Sequence, residues 1–262
     1  MRGLFRAFDR ERVDYLLMGG QAAILYGAAH FTQDLDLWIQ PSPKNVRAFL
    51  RALSRVDARV HKLTPPLSAR WVERGHGFHF LVPQGGRSDA YLDALGRPPR
   101  VGKYADSARR ARRMTTPWGR IPVVAIEDLV ELKKTNRPGD YEVISRLVRV
   151  RLGEPGEPAA RLLSWAIRNT FRVEDLLAIG AAYGAGIRGG GPPVRKLMRV
   201  LCRGGHPAES AVASAGKELD RKMARLLERG REYWLPRIRD LRSLRSEGGL
   251  IPEGTPVRNL LR

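Results

Sequence analysis

Asp34 and Asp36 stand one residue apart in the string Asp34-Leu-Asp-Leu-Trp-Ile39. The alternation of polar and apolar types is that of a β-strand. It puts Leu35, Leu37 and Ile39 on one face and both carboxylates on the other, with their Cα atoms about 7 Å apart. Two unpaired carboxylates so placed repel, and even partial burial makes them costly. A divalent cation between them removes that cost. Mg2+ suits the position, because it takes hard oxygen ligands from one or two carboxylates together with substrate phosphates. A bare Asp-x-Asp is most often a pair of solvated acids on an exposed strand. The upstream pair Gly19-Gly20 changes that reading. It ends the apolar run Asp14-Tyr-Leu-Leu-Met18 and opens a helical stretch over residues 21–28. Glycines at such a turn let backbone N–H groups come close to phosphate oxygens. A phosphate cradle followed by a carboxylate pair on the next strand is the pattern of a nucleotide–metal site.

The elements that must hold these residues follow from periodicity and punctuation. Residues 2–12 read as an amphipathic helix, 14–18 as a buried strand and 34–39 as a half-buried one. Pro41-Ser-Pro43 breaks that strand, and Ser42 is placed to cap a helix over 43–54. Residues 78–82 and 87–92 read as a hairpin across Pro83-Gln-Gly-Gly86. A further strand is expected over 121–125, with helices over 127–135 and 140–151. Gly153-Glu-Pro-Gly-Glu-Pro158 is the best linker in the chain. Beyond it the pattern is helical over 159–169, 173–183, 194–203 and 207–246, with Pro236 expected to break or kink the last helix. The expected layout is therefore an α/β (α+β) first domain, residues 1–152, carrying a short mixed sheet flanked by helices. A mostly α-helical second domain, residues 159–262, follows it.

The chain has 262 residues and a formal net charge of +20, positive in both halves. Such a field favours polyanions, whether nucleotides or nucleic acids. No run of about 18 apolar residues exists, so no membrane partner is expected. The start of the chain lacks the apolar region of a secretory signal, and the single cysteine, Cys202, fits a reducing, cytoplasmic setting. Other motifs carry less. Gly184-Ala-Gly-Ile-Arg-Gly189 has no strand before it and no helix after it, so it is not a dinucleotide fingerprint. His76-Gly-Phe-His79 has no partner at zinc spacing, and Lys133-Lys-Thr135 lacks the upstream glycine of a P-loop. The basic run from Lys103 to Arg113, with Trp118 nearby, is read equally as a phosphate-gripping surface or as a solvated helix face.

Met18-Gly-Gly-Gln-Ala-Ala-Ile-Leu-Tyr-Gly27 followed by Thr32-Gln-Asp-Leu-Asp-Leu37 resembles the signature of the nucleotidyltransferase superfamily. Within it, the segment is most similar to the toxin-type enzymes of abortive-infection and toxin–antitoxin systems, the AbiEii/MenT kind. Arg87-Ser-Asp-Ala-Tyr91 resembles that family's strand with a third carboxylate, which names Asp89, with Asp93 as its rival. The segment from Ile126 to Asp140 resembles its later helix, which carries over Lys133, Arg137 and Asp140. The likeness spans about residues 14–150. The family's arginine ahead of Thr-x-Asp is His30 here, and Gln21 follows the glycine pair where a serine-type residue is more usual. Neither change removes a metal ligand.

The resemblance implies a nucleotidyltransferase fold and transfer of a nucleoside monophosphate from an NTP, with pyrophosphate released. Asp34, Asp36 and Asp89 would hold Mg2+. Gly19, Gly20, Gln21 and Thr32, with Lys133, Arg137 and Asp140, would line the nucleotide site, Lys133 also neutralising triphosphate charge. The implied acceptor is RNA, as at the tRNA acceptor end, and an antitoxin protein is the implied partner. Two alternatives stand beside this expectation. One is an enzyme acting on a small molecule of the aminoglycoside type, which the positive charge argues against. The other is a non-catalytic module using the same fold to bind RNA or a partner.

Overall fold

The computed structural model describes residues 1–85, 88–156, 158–183 and 189–261. Seven strands form one mixed sheet: β1 (Tyr15–Met18), β2 (Asp34–Ile39), β3 (Arg59–Val60), β4 (Gly77–Val82), β5 (Ala90–Leu95), β6 (Arg112–Thr116) and β7 (Gly119–Val123), in the spatial order β3-β4-β5-β2-β1-β7-β6. β1 and β2 are antiparallel, β2 and β5 parallel, β4 and β5 antiparallel, and β1 and β7 parallel. Polar–apolar alternation divides the faces. Leu35, Leu37, Leu92, Ala94, Phe78 and Phe80 are buried on one side. That side meets helices α1 (Arg2–Glu11) and α3 (Pro43–Ser54), whose Phe8 and Phe49 rings stack at 5.6 Å and reach Tyr15 and Phe80. Ser42 caps α3 as expected, its hydroxyl accepting from the Asn45 N–H at 3.3 Å.

The opposite face carries Asp34, Asp36 and Trp38 from β2. Trp38 is fully buried and donates its indole N–H to the Gly96 carbonyl at 3.0 Å, while the Tyr104 ring meets it edge-on. This face is therefore closed at the end of β2 and open at its start, where Asp34 lies exposed.

The remaining helices are α2 (Gly19–Leu25), α4 (Ala69–Glu73), α5 (Tyr104–Arg110), α6 (Ile126–Leu132), α7 (Gly139–Leu152), α8 (Ala160–Arg168), α9 (Val173–Tyr183), α10 (Pro192–Leu201) and α11 (Glu209–Ser246). Two compact units emerge, and they do not divide at the expected linker. The first is Met1–Leu25, Ala29–Leu132 and Tyr233–Arg262; the second is Tyr26–Ala28 and Lys133–Glu232. The physical reason is that α11 runs on through Pro236, contributing its first part to the second unit and its last part to the first. After α11 the chain pairs alongside β3: Ile251 N–H donates to Thr64 at 2.8 Å, Val60 N–H to Thr255 at 2.9 Å, and Val257 N–H to Ala58 at 2.9 Å. A sheet edge that would otherwise be free is thereby covered.

The last part of α11 is anchored in the first unit by charge. Arg74 makes a bidentate pair with Asp240, Nη2 to Oδ1 at 2.8 Å and Nε to Oδ2 at 3.2 Å, and His76 Nε2 lies 3.0 Å from the same carboxylate. His76 is buried and stacks edge-on against Trp71. Burial holds its imidazole below the ordinary histidine value, outweighing the opposing pull of Asp240. Burial works against ionisation of Asp240, but hydrogen bonds from His76 and Arg74 overcome it and keep that carboxyl below its usual range. In the second unit, Glu218 of α11 caps α10, accepting from the Gly191 and Val194 N–H groups at 2.5 and 3.1 Å. Among the described residues no helix is long and apolar enough to cross a membrane.

Candidate active site

The glycine pair sits where β1 turns into α2, with Gly19 at φ +66°. A Cβ there would lie 1.8 Å from Asp36 Oδ2, and one at Gly20 would lie 2.6 Å from the Thr32 hydroxyl oxygen. Both glycines are thus needed for space, and Gly19 for its left-handed backbone as well. The Gly20 N–H donates to Asp36 Oδ2 at 3.3 Å. Gln21, next to the turn in the sequence, and Thr32, against Gly20 in space, are half-buried, and Phe31, between His30 and Thr32, is 77% exposed.

Strand register supplies the rest. In the parallel pair of β2 with β5, Asp34 lies opposite Tyr91 and Asp36 opposite Asp93. In the antiparallel pair of β4 with β5, His79 lies opposite Asp93. Register partners share a face, so Asp34, Asp36, Asp93 and His79 all project from the open side of the sheet. His79 Nδ1 and Asp93 Oδ1 are 2.6 Å apart. Tyr91, at the exposed end of this row, packs against the His61 ring at 4.8 Å.

Asp89 is exposed and lies just ahead of β5, two residues before the partner of Asp34. The strand begins at Ala90, not at residue 87, and Arg87 lies outside the described residues. This later start carries Asp93 from the expected strand end into the middle of β5, beside Asp36. Adjacent strands are about 4.8 Å apart, whereas four residues of offset along a strand amount to about 13 Å. Asp93 is therefore Asp36's neighbour in a way that Asp89 is not.

Lys133, Arg137 and Asp140 belong to the second unit. Lys133 follows α6 directly, and its ammonium pairs with Asp140 at 2.8 Å, while the Thr135 hydroxyl donates to the other oxygen of that carboxylate at 2.5 Å. Arg137 is exposed. The basic run is not one helix face. Arg109 and Arg110 end α5, paired with Asp106 and Asp128, and Arg112 and Arg113 lie on the edge strand β6. The residues 184–188 of the discounted glycine motif lie outside the described residues.

Could these groups hold a divalent cation? Among the described residues no three Asp, Glu, His or Cys side chains converge as a preformed cage. The donor set on the open face is nonetheless hard oxygen, and Asp36 is pressed into a cradle that a Cβ would fill. That fits an ion of the Mg2+ type, which takes one or two carboxylates and completes its shell with phosphate oxygens and water.

No protein-family model matches the chain, and no curated protein matches it. Among solved structures, it is similar to a Thermotoga maritima protein described as a "putative nucleotidyltransferase (TM1012)", with 16% identity over 58% of this chain and 85% of that one, at a TM-score of 0.34. Likeness at that level leaves the class of this protein to be argued from its own topology and side chains.

Proposed function

We propose that this chain is a nucleotidyltransferase that moves a nucleoside monophosphate from an NTP to an acceptor hydroxyl. The observation that carries the proposal is the row of carboxylates on the open face: Asp36 beside Asp93 on parallel neighbours, Asp34 one step along, and the glycine turn against Asp36. Like charges so close destabilise a sheet unless something opposes them. A site for a cation and an anionic substrate gives this row an occupant, beside the His79 partner that Asp93 already has.

The residues divide the work. Asp34 and Asp36 bind the ion that comes with the triphosphate, and Gly19 and Gly20 keep the turn bare enough for phosphate to approach. A divalent ion bound there neutralises the charge that develops on the leaving phosphate. Asp93, rather than Asp89, is assigned as the third carboxylate. It would complete the ion site and accept the proton of the acceptor hydroxyl as that oxygen bonds to the α-phosphorus. The bond from phosphorus to the bridging oxygen then breaks, and pyrophosphate leaves with its electron pair.

The acceptor we assign is RNA. The net charge of +20 supports a polyanion and opposes a polycationic small molecule of the aminoglycoside type. A tRNA acceptor end, a toxin role and an antitoxin partner rest on the sequence resemblance. A non-catalytic reading has one observation in its favour, that no three ligands converge in advance.

The test incubates the protein with each α-labelled NTP, Mg2+ and total tRNA. Label in RNA is expected with the natural chain and is expected to fall at least about 100-fold in Asp36→Asn with its circular dichroism unchanged. Full activity in that variant removes the site assignment; no label in any acceptor favours the non-catalytic module.

A further inference from the structure

We infer that His79 is a positioning residue for Asp93: it fixes which carboxylate oxygen faces the site and so sets how tightly the site takes its divalent ion. The inference rests on the nucleotidyltransferase reading and adds a residue to it.

His79 and Asp93 are opposite one another in the β4–β5 ladder, and Nδ1 to Oδ1 is 2.6 Å. An ionised carboxylate only accepts, so in this bond Nδ1 carries the proton and donates it. Both side chains are about a quarter exposed, 28% for His79 and 26% for Asp93. That leaves Asp93 wet enough to meet substrate, and its terminal torsion has broad, shallow preferences. The imidazole supplies a constraint. With Oδ1 engaged by Nδ1–H, Oδ2 is the oxygen left to meet an ion or an acceptor hydroxyl. Partners of this kind, one step removed from a metal, commonly change its affinity about 10–100-fold when deleted.

The ring is itself seated by the strand. Gly77 lies two residues before His79 on the same face, and a Cβ there would stand 3.3 Å from His79 Nε2. A glycine at that position leaves the outer edge of the imidazole unobstructed.

Three variants and four readouts test this. The first readout needs no turnover: Mn2+ binding to the protein by electron paramagnetic resonance, with and without a non-hydrolysable NTP. The second is the Mg2+ concentration for half-maximal transfer, with kcat and KM for NTP. His79→Ala is expected to weaken Mn2+ binding and raise the half-saturating Mg2+ by about tenfold, with kcat lowered and KM for NTP little changed. His79→Asn, whose amide nitrogen can reach toward Asp93, is expected to recover most of that loss. The nitrogen-15 resonances of the natural protein are expected to show a protonated, hydrogen-bonded Nδ1, a signature lost in Asp93→Ala. Thermal melts of all variants keep a folding defect separate from a metal defect. An unchanged metal dependence in His79→Ala overturns the inference. So does a His79→Asn that is as impaired as His79→Ala while equally folded, since His79 would then act in its own right. If the natural chain neither binds Mn2+ nor transfers a nucleotide, the nucleotidyltransferase reading fails and takes this inference with it.

Discussion

Replacing Gly19 by alanine separates the chemistry of the turn from its mechanics. Gly19 sits at φ +66°, and an L-residue held in that region costs about 1–2 kcal/mol. The methyl group would also stand 1.8 Å from Asp36 Oδ2, so the carboxylate must retreat by roughly an ångström or more before the contact is tolerable. That movement gives up the Gly20 N–H bond to Asp36, which at 3.3 Å and half exposure belongs at the low end of bonds to charged groups, about 1.5 kcal/mol. The total is about 3 kcal/mol, which lowers the melting temperature by roughly 6–12 °C. Gly254 provides the control. It has φ +79°, lies in the same unit, and has nothing within 4 Å of an added Cβ. Gly254→Ala carries the backbone strain alone, about half the loss of stability, with no effect on the site. Misplacing a catalytic carboxylate by about 1 Å costs about 100-fold in rate. Gly19→Ala is therefore expected to lose at least that much transfer, and Gly254→Ala none. The assay pairs differential scanning calorimetry with transfer of label from NTP at a temperature where both variants are folded. Equal activity in the two variants would refute the reasoning, because it would mean that Asp36 need not lie where the glycine lets it lie.

Other outcomes follow from the packing. Burial keeps His76 harder to protonate in the folded chain than in the unfolded one, where histidine titrates near 6.5. Its contribution is full above that pH and is lost as pH falls through it. Asp240, held low by His76 and Arg74 against its own burial, adds a loss only below about pH 4. Melting temperature measured from pH 8 to 5 should thus decline less steeply in His76→Gln than in the natural chain, and parallel curves would discard the linkage. Trp38→Phe removes the donor to the Gly96 carbonyl and should cost about 1–3 kcal/mol, while Trp38→Ala should cost about 3–5 kcal/mol; denaturant titration reads both. A Trp38→Phe as stable as the natural chain would mean that the Gly96 carbonyl finds another partner.

The glycine turn, the Asp34–Asp36 strand and the Ser42 cap were legible in the sequence because each is written within a few adjacent residues. Which carboxylate lies opposite Asp36 was harder. Asp89 and Asp93 have the same parity, so alternation puts both on one face, and only the register against β2 separates them. Register is a property of two strands, fixed by pairing across the sheet and not by either segment alone. His79 had a weaker signal: Phe78-His-Phe80 alternates, which places the imidazole on the polar face, but nothing local says what lies opposite. The domain boundary was misleading for a different reason. Gly153 to Pro158 has the composition of a linker, whereas the continuity of α11 through Pro236 and the return of residues 251–257 to β3 are long-range events.

That return has a consequence for how the molecule is made. Strands β3 and β4 are synthesised early, yet Asp240, which receives Arg74 and His76, comes 166 and 164 residues after them, and the segment that seals the outer edge at β3 comes later still. Until then a ribosome-bound nascent chain exposes an unsealed sheet margin and an unmatched arginine. Maturation of the carboxylate-bearing half is therefore a late event. A fragment cut at the apparent linker is expected to be a sticky intermediate and not an independent enzyme.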